Sequence, residues 1–417
     1  MNKIGFYGMS HLGLCYSVAA AEKGYNVVCY DIDDAVIENL NQASLPIEEP
    51  KLQELLLKNN KNLFYTSNLE ELNKCDIVFY SYDIVTNEKD LSDLKNITEN
   101  ISILLNSIDN ENPIVILSQV PPGYTRKNNF GRKNVYYQVE TLIFGRAVER
   151  ALYPERFIVG CSSSEDILEN NYKIFLNSFN CPIIKMKYES AELAKIAINC
   201  YLASSVTITN TLAEISETIG ANWYEIIPSL KLDKRIGNYA YISPGLGISG
   251  GNIERDLETV KNIGKKLNTN TEAIDSITKL SQYSKNWLYR KVSLNLKDIK
   301  NGKVCVLGLS YKENTDSIKN SPAIELINKI KKANIAAYDP MVPISEVPGV
   351  TRMDTIYGAA NNADILVIAT PWPIFKEIDL KKIKNMMNGS IIIDPYNIID
   401  SRLLKLNGFK FYSLGLN

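Results

Sequence analysis

The chain of 417 residues contains one histidine, His11. A Ser-His-Asp triad or a histidine-rich metal centre would have to be built on that residue, so neither is expected. Its seven cysteines are scattered with no metal-ligand spacing, and no metal is expected. There is no basic run and the net charge is -1, which argues against a nucleic-acid partner. No apolar run is long enough to cross a bilayer, so no membrane association is expected. The first residues enter a strand pattern directly, without the apolar core of a signal peptide. Together with the odd cysteine count, this points to a reducing cytoplasm.

What is present is ordinary for a globular protein: 45% hydrophobic and 22% charged residues. "KIGFYG" reads as a buried strand, "MSHLGLCYSVAAAEKG" as a helix and "YNVVCYDID" as a second strand. "CDIVFYSY", "PIVILSQV" and "ERFIVGC" continue the strand pattern with helical stretches between. This alternation predicts a parallel sheet. From Glu189 to Gly220 the chain lacks glycine and proline until its end and repeats apolar residues at helical spacing, predicting one long, mostly buried helix. "GNIERDLETVKNIGKKL" and "TEAIDSITKLSQYSKNWLYRKVSLNL" read as further helices. A second strand-helix alternation begins at "GKVCVLGLSYK". The expected organisation is a Rossmann-like domain over 1–185, a central helical dimerisation domain over 186–298, and a second α/β domain over 299–417.

Gly8-Met9-Ser10-His11-Leu12-Gly13 follows a strand and opens a helix. It matches G-x-G-x-x-G except at Ser10. The first glycine permits the tight turn, the last permits close helix packing, and the helix N-terminus suits a pyrophosphate. Asp31 ends the second strand, where a carboxylate accepts ribose hydroxyls of NAD and repels the extra phosphate of NADP. Ser10 takes space where backbone would meet the pyrophosphate. His11 is expected to point toward solvent or a ligand phosphate.

With "LPIEEPKLQELL", "VPPGYTRK", "ERALYPERFIVG", "AELAKIAINCYLA", "RIGNYAYISPGLG", "VLGLSYKENTDSIKNSPAIELI" and "DPYNIID" added in order, the chain resembles the UDP-glucose/GDP-mannose dehydrogenase family along nearly its whole length. The resemblance implies an α/β protein of two Rossmann-like doubly wound domains joined by a long central helix that forms a homodimer core. It also implies NAD in the first domain, a nucleotide-sugar substrate held by the last, and a role in precursor synthesis for surface polysaccharides. Family members oxidise a sugar C6 alcohol twice, capturing the intermediate aldehyde on a cysteine as a route to a thioester.

Carried over by position, Lys195 and Asn199 fall on a lysine and an asparagine of the catalytic site, four residues apart on one helix face. Glu140 falls on a glutamate that assists hydrolysis, and Asp256 on the aspartate closing the catalytic loop. Ser118 and Gln119 lie at the cofactor. Gly250, Gly251, Lys312 and Lys319 lie at the substrate, and Arg235 on an arginine that reaches a neighbouring subunit's substrate. Departures gather at the chemistry. Asn252 stands where the family has its cysteine, Gln119 replaces a threonine, Phe144 a glutamate, Lys319 and Tyr396 arginines, and "YDIVTN" a proline-threonine stretch. A carboxamide is not a useful nucleophile but can hydrogen-bond a carbonyl or hydroxyl. Three readings follow. The first is a two-electron dehydrogenase stopping at an aldehyde or ketone, or running in reverse. The second is a four-electron enzyme acting through an aldehyde hydrate with Glu140 or Asp256 as base. The third is a silent nucleotide-sugar-binding partner subunit. The first is preferred.

Overall fold

A computed structural model describes residues 3–84, 93–109, 111–129, 131–297, 302–330, 333–343 and 347–416. The chain divides into two compact units, Met1–Ile198 and Asn199–Asn417.

In the first unit, strands β1 (Lys3–Tyr7), β2 (Asn26–Tyr30), β3 (Leu63–Thr66), β4 (Ile77–Tyr80), β5 (Ile114–Ile116), β6 (Val135–Gln138), β7 (Phe157–Cys161) and β8 (Ile183–Lys187) form one sheet, in the order β3-β2-β1-β4-β5-β6-β7-β8. All neighbours are parallel except β6 and β7. The period of two explains the near-continuous apolar runs. Ile4, Phe6, Val27, Cys29, Ile77 and Phe79 join the core on one face. Tyr7, Val28, Tyr30, Val78 and Tyr80 join the core on the other, so both faces are buried.

The second unit holds β9 (Lys303–Leu307), β10 (Asn334–Tyr338), β11 (Thr351–Arg352), β12 (Ile365–Ile368), β13 (Ile391–Ile393) and β14 (Lys410–Tyr412), ordered β11-β10-β9-β12-β13-β14 and all parallel. This repeats the order of the first six strands, the doubly wound Rossmann arrangement. In each unit the strand order reverses beside the first strand, between β1 and β4 and between β9 and β12. That reversal opens a crevice at the strands' carboxyl ends.

The long helix is Tyr188–Ile219. It is less buried than its composition predicts: Leu193, Tyr201, Ile208, Leu212, Ile215 and Ile219 are exposed. No described helix is long and apolar enough to cross a membrane.

Candidate active site

At the carboxyl end of β1 the chain turns sharply at Gly8, whose φ is +107°. A Cβ there would lie 2.6 Å from the ring of Tyr82. A Cβ on Gly13 would lie 1.9 Å from the Gly8 carbonyl oxygen. Only glycine allows the first helix, His11–Glu22, to seat this closely on the turn. Asp31 is buried at the end of β2, where its Oδ2 accepts from the Met9 amide at 2.7 Å. Its Oδ1 accepts from the Tyr82 hydroxyl at 2.8 Å and the Asp33 amide at 3.1 Å. Burial, then the Asp31 charge, drives the Tyr82 phenol pKa upward, so it stays a donor.

Ser10 does not cap its helix with its side chain. Its Oγ donates to the Ser81 carbonyl at 3.0 Å and accepts from the Asp83 amide at 2.9 Å. The Asp83 carboxylate takes the Leu12 amide instead, at 3.2 Å. Ser118, buried at the end of β5, donates to the Tyr82 carbonyl at 2.5 Å. Gln119 follows it, half-buried. Of "YDIVTN", residues 85–87 lie outside the described residues.

His11 does not face solvent. Its Nε2 lies 2.9 Å from Glu49 Oε1, and its ring stacks on Phe144 with centroids 4.2 Å apart. Buried Glu49 also accepts from the amides of Gly145 at 2.7 Å and Ala147 at 3.3 Å. One carboxylate thus ties the glycine-rich turn to the segment that follows Glu140. The sequence reading missed Glu49, since its partners are 38 to 98 residues away.

Lys195 Nζ pairs with Glu140 Oε1 at 2.7 Å, the two side chains being 12% and 15% exposed. It also donates to the Glu140 carbonyl at 3.1 Å, while Glu140 Oε2 accepts from the Leu142 amide at 2.9 Å. One turn before Lys195, buried Glu192 accepts from the amides of Gly123 at 2.5 Å and Thr125 at 2.8 Å. Burial raises its pKa, with these amides opposing. It anchors this end of the helix, a role not read from "AELAKIAINCYLA", where only Lys195 and Asn199 were singled out.

In the second unit, buried Asn199 donates from Nδ2 to Asp256 Oδ2 at 2.5 Å. Asp256 lies in the helix Asn252–Leu267, one turn after Asn252, and Asn252 itself is exposed at the helix start. Gly250 and Gly251 have φ of +93° and +98°. A Cβ on Gly250 would meet the Tyr311 ring at 2.7 Å, and one on Gly251 the Lys319 side chain at 2.8 Å. The Gly250 amide also donates to the Lys319 carbonyl at 3.2 Å. The loop is therefore braced by the segment that carries Lys312 and Lys319. Lys312 Nζ lies 5.6 Å from the Tyr311 ring centre. Arg235 is exposed and bonds Asp233 at 2.6 Å. Tyr396 donates to the Ala369 carbonyl at 3.2 Å. Cys200 follows Asn199 in the long helix; burial, then the Asp256 charge, pushes its thiol pKa up. That disfavours the nucleophilic thiolate.

The second crevice is built like the first. Gly308 has φ of +90°, and buried Asp339 accepts from the amides of Leu309 at 2.6 Å and Ser310 at 3.1 Å and from Trp372 Nε1 at 3.2 Å. Burial raises the Asp339 pKa, but four backbone amides outweigh it, and the net shift is downward.

Three family models match along the chain: the NAD binding domain over residues 2–177, the central domain over 189–283 and the UDP binding domain over 305–401 of the UDP-glucose/GDP-mannose dehydrogenase family. The chain belongs to this family. It is 30% identical to UDP-glucose 6-dehydrogenase of Rickettsia typhi over 99% of both chains, and 29% identical to UDP-glucose 6-dehydrogenase TuaD of Bacillus subtilis over 100% of this chain and 93% of that one. A solved UDP-D-ManNAc dehydrogenase from Pyrococcus horikoshii matches at 26% identity and a TM-score of 0.84, covering 99% of each chain. The UDP-glucose dehydrogenase of Pyrobaculum islandicum shares the fold, with 23% identity, a TM-score of 0.86, and 100% and 98% coverage.

This dehydrogenase therefore acts on CH–OH groups of nucleotide sugars with NAD as cofactor. The cofactor fits the first crevice in its frame. Gly8 and Gly13 give the close turn, the helix His11–Glu22 points its N-terminus at the turn, and Asp31 stands at the end of β2. Among the described residues no cluster of His, Cys, Asp and Glu could hold a metal ion.

Proposed function

We propose that this dehydrogenase performs one two-electron step on a nucleoside-diphosphate-linked sugar or polyol, alcohol to aldehyde or ketone or the reverse, and stops at the carbonyl. The observation that carries the reading is Asn252 at the start of the loop helix, with half-buried Cys200 as the cysteine following Asn199. Neither supplies a thiolate, and the second oxidation in this family's chemistry needs a tetrahedral adduct on sulfur.

When bound, NAD accepts hydride from the carbinol carbon. The chain's own residues do the rest. The Lys195 ammonium, oriented by Glu140, stabilises negative charge on the substrate oxygen as its proton leaves to water or a carboxylate. Asn199, oriented by Asp256, presents its remaining amide groups as a fixed hydrogen-bonding partner. Asn252 hydrogen-bonds the carbonyl or a substrate hydroxyl. Lys312, Lys319, Gly250 and Gly251 serve the nucleotide sugar. The relatives named UDP-glucose 6-dehydrogenase favour UDP and a hexose C6.

The helical segment 186–298 serves as the dimerisation region, and the functional unit is a homodimer. Tyr201, Ile208 and Ile215 recur every seven residues, with Leu212 and Ile219 beside them, as an exposed apolar stripe. Arg235, exposed, is then available to a second subunit's substrate.

The deciding experiment supplies a panel of nucleotide sugars with NAD and counts NADH per substrate consumed, with product mass alongside. One NADH and a carbonyl product are expected. Two NADH and a carboxylate product refute the reading and favour hydrate oxidation with Glu140 or Asp256 as base.

A further inference from the structure

We propose that Tyr82 and Asp83 are a built-in competitor for the cofactor, latched across the dinucleotide crevice by Ser10. The inference rests on the NAD site alone and is independent of how many oxidation steps follow.

A dinucleotide held at a β-α-β turn uses two polar features: a carboxylate after the second strand for ribose hydroxyls, and helix N-terminal amides for the pyrophosphate. In this chain each feature already has a partner from the segment after β4. The Tyr82 hydroxyl donates to Asp31 Oδ1 at 2.8 Å, taking the kind of bond a ribose hydroxyl would make. The Asp83 carboxylate accepts from the Leu12 amide at 3.2 Å, an anion on the helix end that suits a phosphate oxygen. The same carboxylate opposes the charge of an incoming pyrophosphate.

The segment is fastened along its length. Ser118 holds the Tyr82 carbonyl at 2.5 Å. Ser81 Oγ lies 2.9 Å from the Gly8 carbonyl. Ser10 bridges the Ser81 carbonyl and the Asp83 amide at 3.0 and 2.9 Å. A glycine at position 10 would offer neither of those last bonds. Ser10, Tyr82 and Asp83 are thus three departures joined in one hydrogen-bonded unit. Asp83 is exposed and Tyr82 half-buried, so these two side chains can turn away from their bonds while Ser81 and Ile84 stay in the core.

Cofactor binding then includes the cost of releasing these bonds, and removing them should tighten it. The test measures the dissociation constant of NAD+ for the full chain by isothermal titration calorimetry, with ADP-ribose and adenosine as shorter probes. Asp83→Asn should tighten NAD+ and ADP-ribose by about five- to tenfold, the scale of one charge-assisted contact, and leave adenosine unchanged because it lacks the pyrophosphate. Tyr82→Phe, which keeps the ring over Gly8, should tighten all three by about three- to tenfold. Ser10→Gly should tighten NAD+ in the same direction. Unchanged or weaker NAD+ binding in Asp83→Asn and Tyr82→Phe, with unfolding midpoints preserved, overturns the proposal. So does a chain that binds no NAD+ in any of these forms, since the segment would then close the crevice permanently.

Discussion

Asp394 makes the pH dependence of this fold calculable. It sits at the end of β13, wholly buried, and its carboxylate accepts from the amides of Tyr396 at 3.1 Å and Ile399 at 2.9 Å. Burial dominates over those amides and lifts its pKa from 3.8 to about 6. The sign follows from proton counts. Between about 4 and 6 the folded chain keeps a proton that the unfolded chain has lost, so stability falls as pH rises through this window and levels off above it. A shift from 3.8 to about 6 corresponds to roughly 3 kcal/mol at about 1.4 kcal/mol per unit. Asp394→Asn removes the titration while keeping the shape. Urea unfolding of both proteins from pH 4.5 to 7.5 should show the parent losing roughly 2 kcal/mol relative to the variant as pH rises. Taking the difference cancels groups such as Asp339, whose lowered pKa acts in the opposite sense. A difference that stays constant to within about 0.5 kcal/mol across the range would refute the reasoning.

Lys195→Met should lower kcat by about a hundred- to a thousandfold and leave the Glu140 carboxylate without its half-buried cation. That should cost about 3 kcal/mol of stability, and adding Glu140→Gln should restore the unfolding midpoint but not the rate. Ile208→Glu with Ile215→Glu, in the exposed stripe of the long helix, should shift sedimentation from dimer to monomer; an unchanged dimer would place the interface elsewhere.

Strands buried on both faces were legible in the sequence because their apolar runs are unbroken: β1, β2, β4 and β9 fall where "KIGFYG", "NVVCY", "DIVFY" and "KVCVL" predict them. Strands at a sheet edge were not. β8, "IIKMK", exposes much of its length, and β3 alternates buried with exposed residues. The stretch from Thr271 to Leu296 reads as one helix, yet it breaks at Asn286 into Glu272–Lys285 and Trp287–Leu296. Trp223–Leu232 escaped notice because Pro228 reads as a breaker. Lys195–Glu140 in the first unit and Asn199–Asp256 in the second join residues that family position had singled out. Glu49 drew no notice, and "YDIVTN" marked Tyr82 and Asp83 as departures without revealing their bonds, because the partners are set by tertiary folding at separations that carry no local pattern.

The aspartate that gathers the amides of a glycine turn is present twice, as Asp31 after β2 and Asp339 after β10. Each also takes a bond from an aromatic donor, Tyr82 or Trp372, in the stretch that follows the strand across the reversal. The same order of six strands with the same latch at the same place means that one frame is built twice in this chain. Either copy of that frame is free to specialise, because the frame does not depend on the ligand it serves.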